Sequence, residues 1–241
     1  MDSRTEHRAL ATIDGLMDVI VSAPTDIAPV GGVVVVQEAF GLTGHIQRVC
    51  EALADAGYLA IAPALFHRCD DQTFRYTDYD KLGPVIMTLT SQSIEMDIDA
   101  AIAELIINGI PETKIAIIGF CMGGSVTLET AARLPLAAAV TFYGGGVTEG
   151  RFGLRSGLKN GALLQTPWLG LYGDLDEHIS SAEVEQLRVA AATTSVDSEV
   201  VRYAEADHGF HCDERPSFHA ESSSDAWIRV LEFLAEHVQR N

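Results

Sequence analysis

Disulfide staples, zinc centres and membrane spans have little to be built from in this sequence. Its four cysteines (Cys50, Cys69, Cys121 and Cys212) include no C-x-x-C pair, and no Cys/His cluster has zinc-ligand spacing. That pattern points to a reduced, cytoplasmic compartment and to a site without metal or cofactor. The longest apolar stretches, such as 134–142, fall far short of the ~20 residues of a spanning helix, and Asp2, Arg4, Glu6, His7 and Arg8 leave no room for a signal-peptide core near Met1. Basic residues are scarce: 16 Lys and Arg face 34 Asp and Glu, a formal charge of −18. A field of that sign repels nucleic acid and anionic membrane. There is no internal repeat, low-complexity tract or Pro/Ser-rich linker, so 241 residues read as one domain, 1–241, large enough to bury its own core. A monomer or small homo-oligomer is expected.

What is present is an alternation of strands and helices. Two strand-like runs, 9–13 and 16–22, flank Asp14-Gly15, a dipeptide suited to a tight hairpin turn. Val33–Val36 is four consecutive β-branched residues without polar alternation, as in a parallel strand buried on both faces. Helical spacing follows over 43–57, then a strand over 58–62, a helix over 93–107, a strand over 114–119 and a helix over 122–133. Strands over 137–142, 168–172 and 199–203 and helices over 182–191 and 223–238 complete the pattern. Such alternation predicts a mostly parallel sheet with helices on both faces and an antiparallel hairpin at its N-terminal edge. Residues 63–92 carry the least periodic pattern and are expected to shape a pocket or lid.

One segment carries chemistry outright. Ile117-Ile118-Gly119-Phe120-Cys121-Met122-Gly123-Gly124 runs from an apolar strand through G-x-C-x-G into a helix. Glycines at those positions permit the sharp turn that lifts a nucleophile above a sheet. The following amide, that of Met122, then opens a helix, where it can hold an oxyanion. A thiol nucleophile needs a base and an orienting acid, which hydrolases of this type take in the order nucleophile, acid, histidine. After Cys121, strand 169–172 delivers Gly173-Asp174-Leu175-Asp176, and strand 200–203 delivers Asp207-His208-Gly209-Phe210. Asp176 is preferred to Asp174, whose place beside glycine also suits an Asx turn, while Asp207 sits too close to His208 to orient its ring. His178 and His211 read as rim or surface residues. Glu38, just past the buried run 33–36, is either an exposed loop residue or a buried acid with a purpose.

Over Leu16 to Val238 these segments, with Gln37–Leu42, resemble the dienelactone hydrolase family. The resemblance implies an α/β-hydrolase fold with Cys121 as nucleophile, His208 as base and Asp176 as its orienter. It also implies that Glu38 bonds the Cys121 thiol at rest, and that the amides of Met122 and Ala39 hold the oxyanion. The substrate grip departs from the family's: members that open dienelactones use an arginine four residues after the histidine, and here Cys212 stands there. Arg215, Arg68, Arg75 and Lys81 are the possible replacements, each equally readable as a solvated charge. The function expected is hydrolysis of a small lactone or of an enol or aryl ester without a cofactor. The competing class is a non-enzymatic ligand-binding or thiol redox-sensing protein; it has no need of a histidine with an acid behind it.

Overall fold

The computed structural model describes residues 3–239, so Met1, Asp2, Arg240 and Asn241 of the expected 1–241 span lie outside it. Eight strands form one sheet: β1 (Ser3–Thr12), β2 (Gly15–Pro24), β3 (Gly32–Val36), β4 (Leu59–Pro63), β5 (Ile115–Phe120), β6 (Ala138–Phe142), β7 (Trp168–Gly173) and β8 (Ser198–Tyr203). Their order is β1-β2-β4-β3-β5-β6-β7-β8. The pairs from β4 to β8 are parallel, and β1·β2 and β2·β4 are antiparallel. Every residue of β3 to β7 is buried, because helices cover the sheet on both faces.

The helices are α1 (Gly44–Asp55), α2 (Tyr79–Ile86), α3 (Ser91–Ile107), α4 (Met122–Arg133), α5 (Gly157–Gly161), α6 (Ser181–Ala191) and α7 (Ala220–Leu234). The starts of α3, α5, α6 and α7 are set by side-chain oxygens or a ring nitrogen. Thr90 with Ser93 and Ser180 with Glu183 form reciprocal capping boxes on α3 and α6, and His219 caps α7 through the Ser222 amide.

The hairpin is longer than its apolar residues suggest. Ser3–Thr12 pairs with Gly15–Pro24 along its whole length. Arg4, Thr5, Glu6 and His7 carry no hydrophobic signal because β1 is the sheet edge, where a strand is held by its ladder bonds rather than by burial. Two helices have no sequence period to announce them. α5 is only five residues long, and α2 contains Pro84. The stretch 63–92 contains α2, whose Tyr79, Leu82 and Ile86 face the cavity above the sheet.

Candidate active site

The turn after β5 is forced by close approach. A Cβ on Gly119 would lie 2.1 Å from the Gly123 carbonyl oxygen, and one on Gly123 would lie 2.4 Å from that of Val36. Those two positions admit only glycine, which lets α4 begin immediately beside β3. Cys121 is left at φ 54 and ψ −114, a conformation a side-chain-bearing residue adopts only where its surroundings impose it. Its backbone N–H donates to the Phe142 carbonyl. Its side chain lines a cavity of about 330 Å³ together with Ala39, Phe40, Met122, Ser125, His178, Ile179 and His208. Among the described residues no acceptor takes the amides of Met122 or Ala39, both of which line that cavity.

Asp176 and His208 arrive from the ends of β7 and β8. His208 Nδ1 donates to Asp176 Oδ2 at 2.7 Å. The other carboxylate oxygen accepts the amides of His178 at 2.8 Å and Ile179 at 3.2 Å, so the buried acid is fully bonded. Asp174 is occupied elsewhere, by Arg202 at 2.6 Å, and Asp207 accepts the backbone N–H of His208. Burial works against a charge on His208. The attraction of the Cys121 sulfur beside it, and the bond to Asp176, outweigh that cost and lift its pKa to about 10. Its contribution to stability is complete below the ordinary imidazole value of ~6.5 and is lost as pH rises through about 10. Cys121→Ser removes the sulfur while leaving Asp176 in place. In that variant the NMR titration midpoint of His208 should fall from about 10 towards the ordinary imidazole value. A midpoint that stays put would remove the sulfur from the electrostatics of the ring.

Glu38 is wholly buried, not an exposed loop acid. The bond to the Cys121 thiol implied by the family resemblance is not the one formed. Glu38 accepts from Tyr76 Oη at 2.9 Å and from Arg215 Nη1 at 3.3 Å. Burial raises the Glu38 carboxyl above its usual range, with Arg215 and Tyr76 opposing. Arg215 cannot shed its proton, so a carboxylate at 3.3 Å is its compensation, and its guanidinium lies 5.9 Å over both the Phe40 and Tyr76 rings. His211, expected at a rim or on the surface, is half-buried: its ring packs among Phe120, Phe142 and Trp227, and desolvation lowers its pKa to about 4.

Of the four basic residues considered for the substrate grip, Arg215 alone lines the cavity. Arg68 is bound to Asp14 and Asp97, and Arg75 and Lys81 to Asp78. Arg151 lines the cavity as well and makes no ion pair within 4 Å among the described residues. Its place depends on Phe152 at φ 57 and Gly153 at φ 76, two consecutive left-handed residues in the loop after β6. The signal that found Asp176 and His208, a polar residue near glycine in the loop after a strand, is also present at Gly150-Arg151-Phe152-Gly153. Tyr143, the residue after β6, was equally unannounced; its ring centre lies 5.1 Å from that of His208. Outside the cavity, Asp14, His67 and Asp97 come close enough for a metal ion. The Arg68 guanidinium already supplies the positive charge there, at 2.6 Å from Asp14 and 2.7 and 2.8 Å from Asp97.

Comparison with known proteins places this arrangement. Residues 17–238 match the dienelactone hydrolase family. A Yersinia pestis protein provisionally named carboxymethylenebutenolidase is 37% identical over 230 residues, covering 93% of this chain and 85% of the relative. One of the same provisional name from Methylorubrum extorquens is 33% identical over 227 residues, covering 93% and 78%. A crystal structure from Klebsiella pneumoniae, provisionally described as a dienelactone hydrolase, superposes with a TM-score of 0.89 at 33% identity, covering 98% of this chain and all of that one. A dienelactone hydrolase-like promiscuous phosphotriesterase from metagenomic libraries shares the fold, with a TM-score of 0.78 at 23% identity over 98% of this chain and 99% of that one. No helix among the described residues is long and apolar enough to cross a membrane. The chain belongs to the dienelactone hydrolase family, enzymes that hydrolyse ester and lactone bonds of small molecules.

Proposed function

We propose that the protein is a cysteine-dependent carboxylic-ester hydrolase for small lactones and enol or aryl esters, with Cys121 as nucleophile, His208 as acid and base and Asp176 as orienter. The observation that carries this is the 2.7 Å bond from His208 Nδ1 to Asp176, which commits the ring's other nitrogen to the cavity that Cys121 lines. The Cys121 thiolate adds to the ester carbonyl, and the oxyanion is held by the Met122 and Ala39 amides. The carbon–oxygen bond then breaks, the His208 proton passes to the leaving oxygen, and a thioester remains on Cys121. Water, giving a proton to His208, attacks the thioester and expels the thiolate. A thiolate is itself a good leaving group, so the first intermediate goes forward only when the alcohol leaves easily. Enol and aryl oxygens meet that condition and simple alkyl oxygens do not. The chemistry asks for no metal and no cofactor.

A panel of aryl esters, enol lactones, alkyl esters and thioesters tests this. Aryl and enol substrates should turn over, alkyl esters should not, and quenched intact-mass spectra should show the acyl group on the peptide containing Cys121. Turnover without any acyl-Cys121 species under conditions of rate-limiting deacylation would sink the covalent route.

Arg215 is compensated by Glu38, so the cation left to hold an anionic substituent is Arg151. Arg151→Gln should raise KM for an anionic aryl ester by up to about fivefold, the equivalent of one exposed charge pair. The ratio of anionic to neutral kcat/KM should fall with it, and added salt should reproduce the effect in the unsubstituted protein. An unchanged ratio would remove Arg151 from the grip.

A further inference from the structure

A second cavity, of about 430 Å³, opens between α1 and α7, on residues that the proposed reaction does not use. Its walls are Val49 and Ala52 from α1, Ala220, Ser224 and Trp227 from α7, and Phe218 from the loop that precedes α7. Its floor is a stack of rings. The Trp227 ring lies on that of His211 at 5.6 Å and 21°, and the other side of the stack continues to Phe120 at 5.8 Å and 10°. His45 meets Phe120 edge-on at 5.4 Å.

The two histidines give the cavity its polarity. Both are uncharged: burial lowers the pKa of His45 to about 3 and that of His211 to about 4. His45 is 3% exposed, and its Nε2 has no hydrogen-bond partner among the described residues. His211 Nδ1 is bonded to Ser223 Oγ at 2.8 Å, which leaves its Nε2 as the nitrogen available to a guest. The one cation at the rim, Arg48, is bonded to Asp213 at 2.6 Å and to Glu214 at 2.7 Å, so the three charges sum to −1 and no cation is left unpaired. A buried polar atom without a partner is costly, and a neutral imidazole both donates and accepts. An apolar cavity with stacked rings, no unpaired cation and the free Nε2 of His211 complements one class of molecule. We propose that the cavity between α1 and α7 is a second ligand site, for a small uncharged aromatic molecule bearing one hydroxyl or amine.

An anion would face two imidazoles that cannot charge and an arginine already satisfied. An aliphatic alcohol would satisfy a nitrogen but forgo the stacking, worth about 0.5–1.5 kcal/mol for an aromatic pair. Phenol is the probe. The full chain is first alkylated at Cys121 with iodoacetamide, so that the substrate pocket is blocked, and then titrated by calorimetry. Trp227 emission is followed in parallel, the other tryptophan, Trp168, being wholly buried in β7. One saturable site is expected, with a Kd of about 1 mM, ordinary for so small a ligand. Benzoate and cyclohexanol should each bind at least tenfold more weakly, on the order of the charge and stacking differences above. Ala52→Phe, which fills the slot, should weaken phenol by at least about tenfold; Ser224→Leu, at an exposed position of α7, should do the same should the first variant fold poorly. Non-saturating heats, equal affinity for benzoate, or affinity untouched by both substitutions would overturn the site. Binding that disappears on alkylation of Cys121 would assign phenol to the substrate pocket and overturn it equally. The outcome is independent of the esterase reading, because no step of it requires turnover.

Discussion

Cys121→Ala is expected to reduce kcat for an aryl ester by on the order of 10⁴–10⁶-fold, the loss typical when a covalent nucleophile is removed from an oriented triad. The reasoning rests on what stays behind. Asp176 still holds His208, and the Met122 and Ala39 amides are untouched, but His208 then has only water to activate, at a carbonyl placed for sulfur. The fold should survive. Cys121 is held at φ 54 by the packing of Gly119 and Gly123 against β3 and α4, and alanine meets the same backbone with fewer atoms. The change in Tm should stay within a few degrees, as for a substitution of well under ~1 kcal/mol. One secondary effect has a definite sign. Without the sulfur, its share of the lift on His208 to about 10 is lost while that of Asp176 remains, so residual activity should rise with pH around a midpoint below about 10 as the ring becomes a free base. Steady-state kinetics beside intact-mass detection of the acyl-enzyme checks both parts. Activity above about one per cent in Cys121→Ala, by the same comparison, would mean that another group forms the bond.

The sheet was legible because its strands are buried on both faces. β3, β5 and β7 appear in the sequence as unbroken apolar runs ending in a glycine or a polar loop, and that junction is where Cys121, Asp176 and Glu38 sit. Strand ends are a one-dimensional signal, so position along the chain was enough to bring Cys121, Asp176 and His208 to one edge of the sheet. Side-chain pairing is a three-dimensional one. Glu38 and Arg215 are 177 residues apart, and nothing in either segment marks them as partners. His211 was expected at a rim or on the surface because histidine is polar; what half-buries its ring is Phe120, Phe142 and Trp227, which come from two strands and the last helix. Arg151 was passed over because a loop between glycines carries no period, although the left-handed Phe152 beside it shows the loop to be built rather than slack.

Glu38→Gln separates the role of that residue in the chemistry from its role in the fold. Turnover should fall by up to about 10²-fold, because Arg215, which lines the cavity with Cys121, loses the carboxylate that positions it. Stability should fall as well, because Arg215 then keeps its charge with only Tyr76, Phe40 and a neutral amide around it. Breaking a buried pair from one side costs up to ~3–5 kcal/mol, and somewhat less here because the Arg215 side chain is 11% exposed. Removing both charges, in Glu38→Gln with Arg215→Gln, should restore most of the lost stability without restoring turnover. The thiol responds in the opposite direction to turnover. In the unsubstituted protein the positive field of Arg215 reaches Cys121 but is largely cancelled by Glu38. In Glu38→Gln that field stands alone and favours the thiolate. Iodoacetamide should therefore alkylate Cys121 faster in Glu38→Gln, and the double variant should return towards the original rate. Slower alkylation in the single variant would reverse the electrostatic assignment. Full esterase activity in Glu38→Gln would leave Cys121, His208 and Asp176 as a self-sufficient triad, with Glu38 present only to neutralise Arg215.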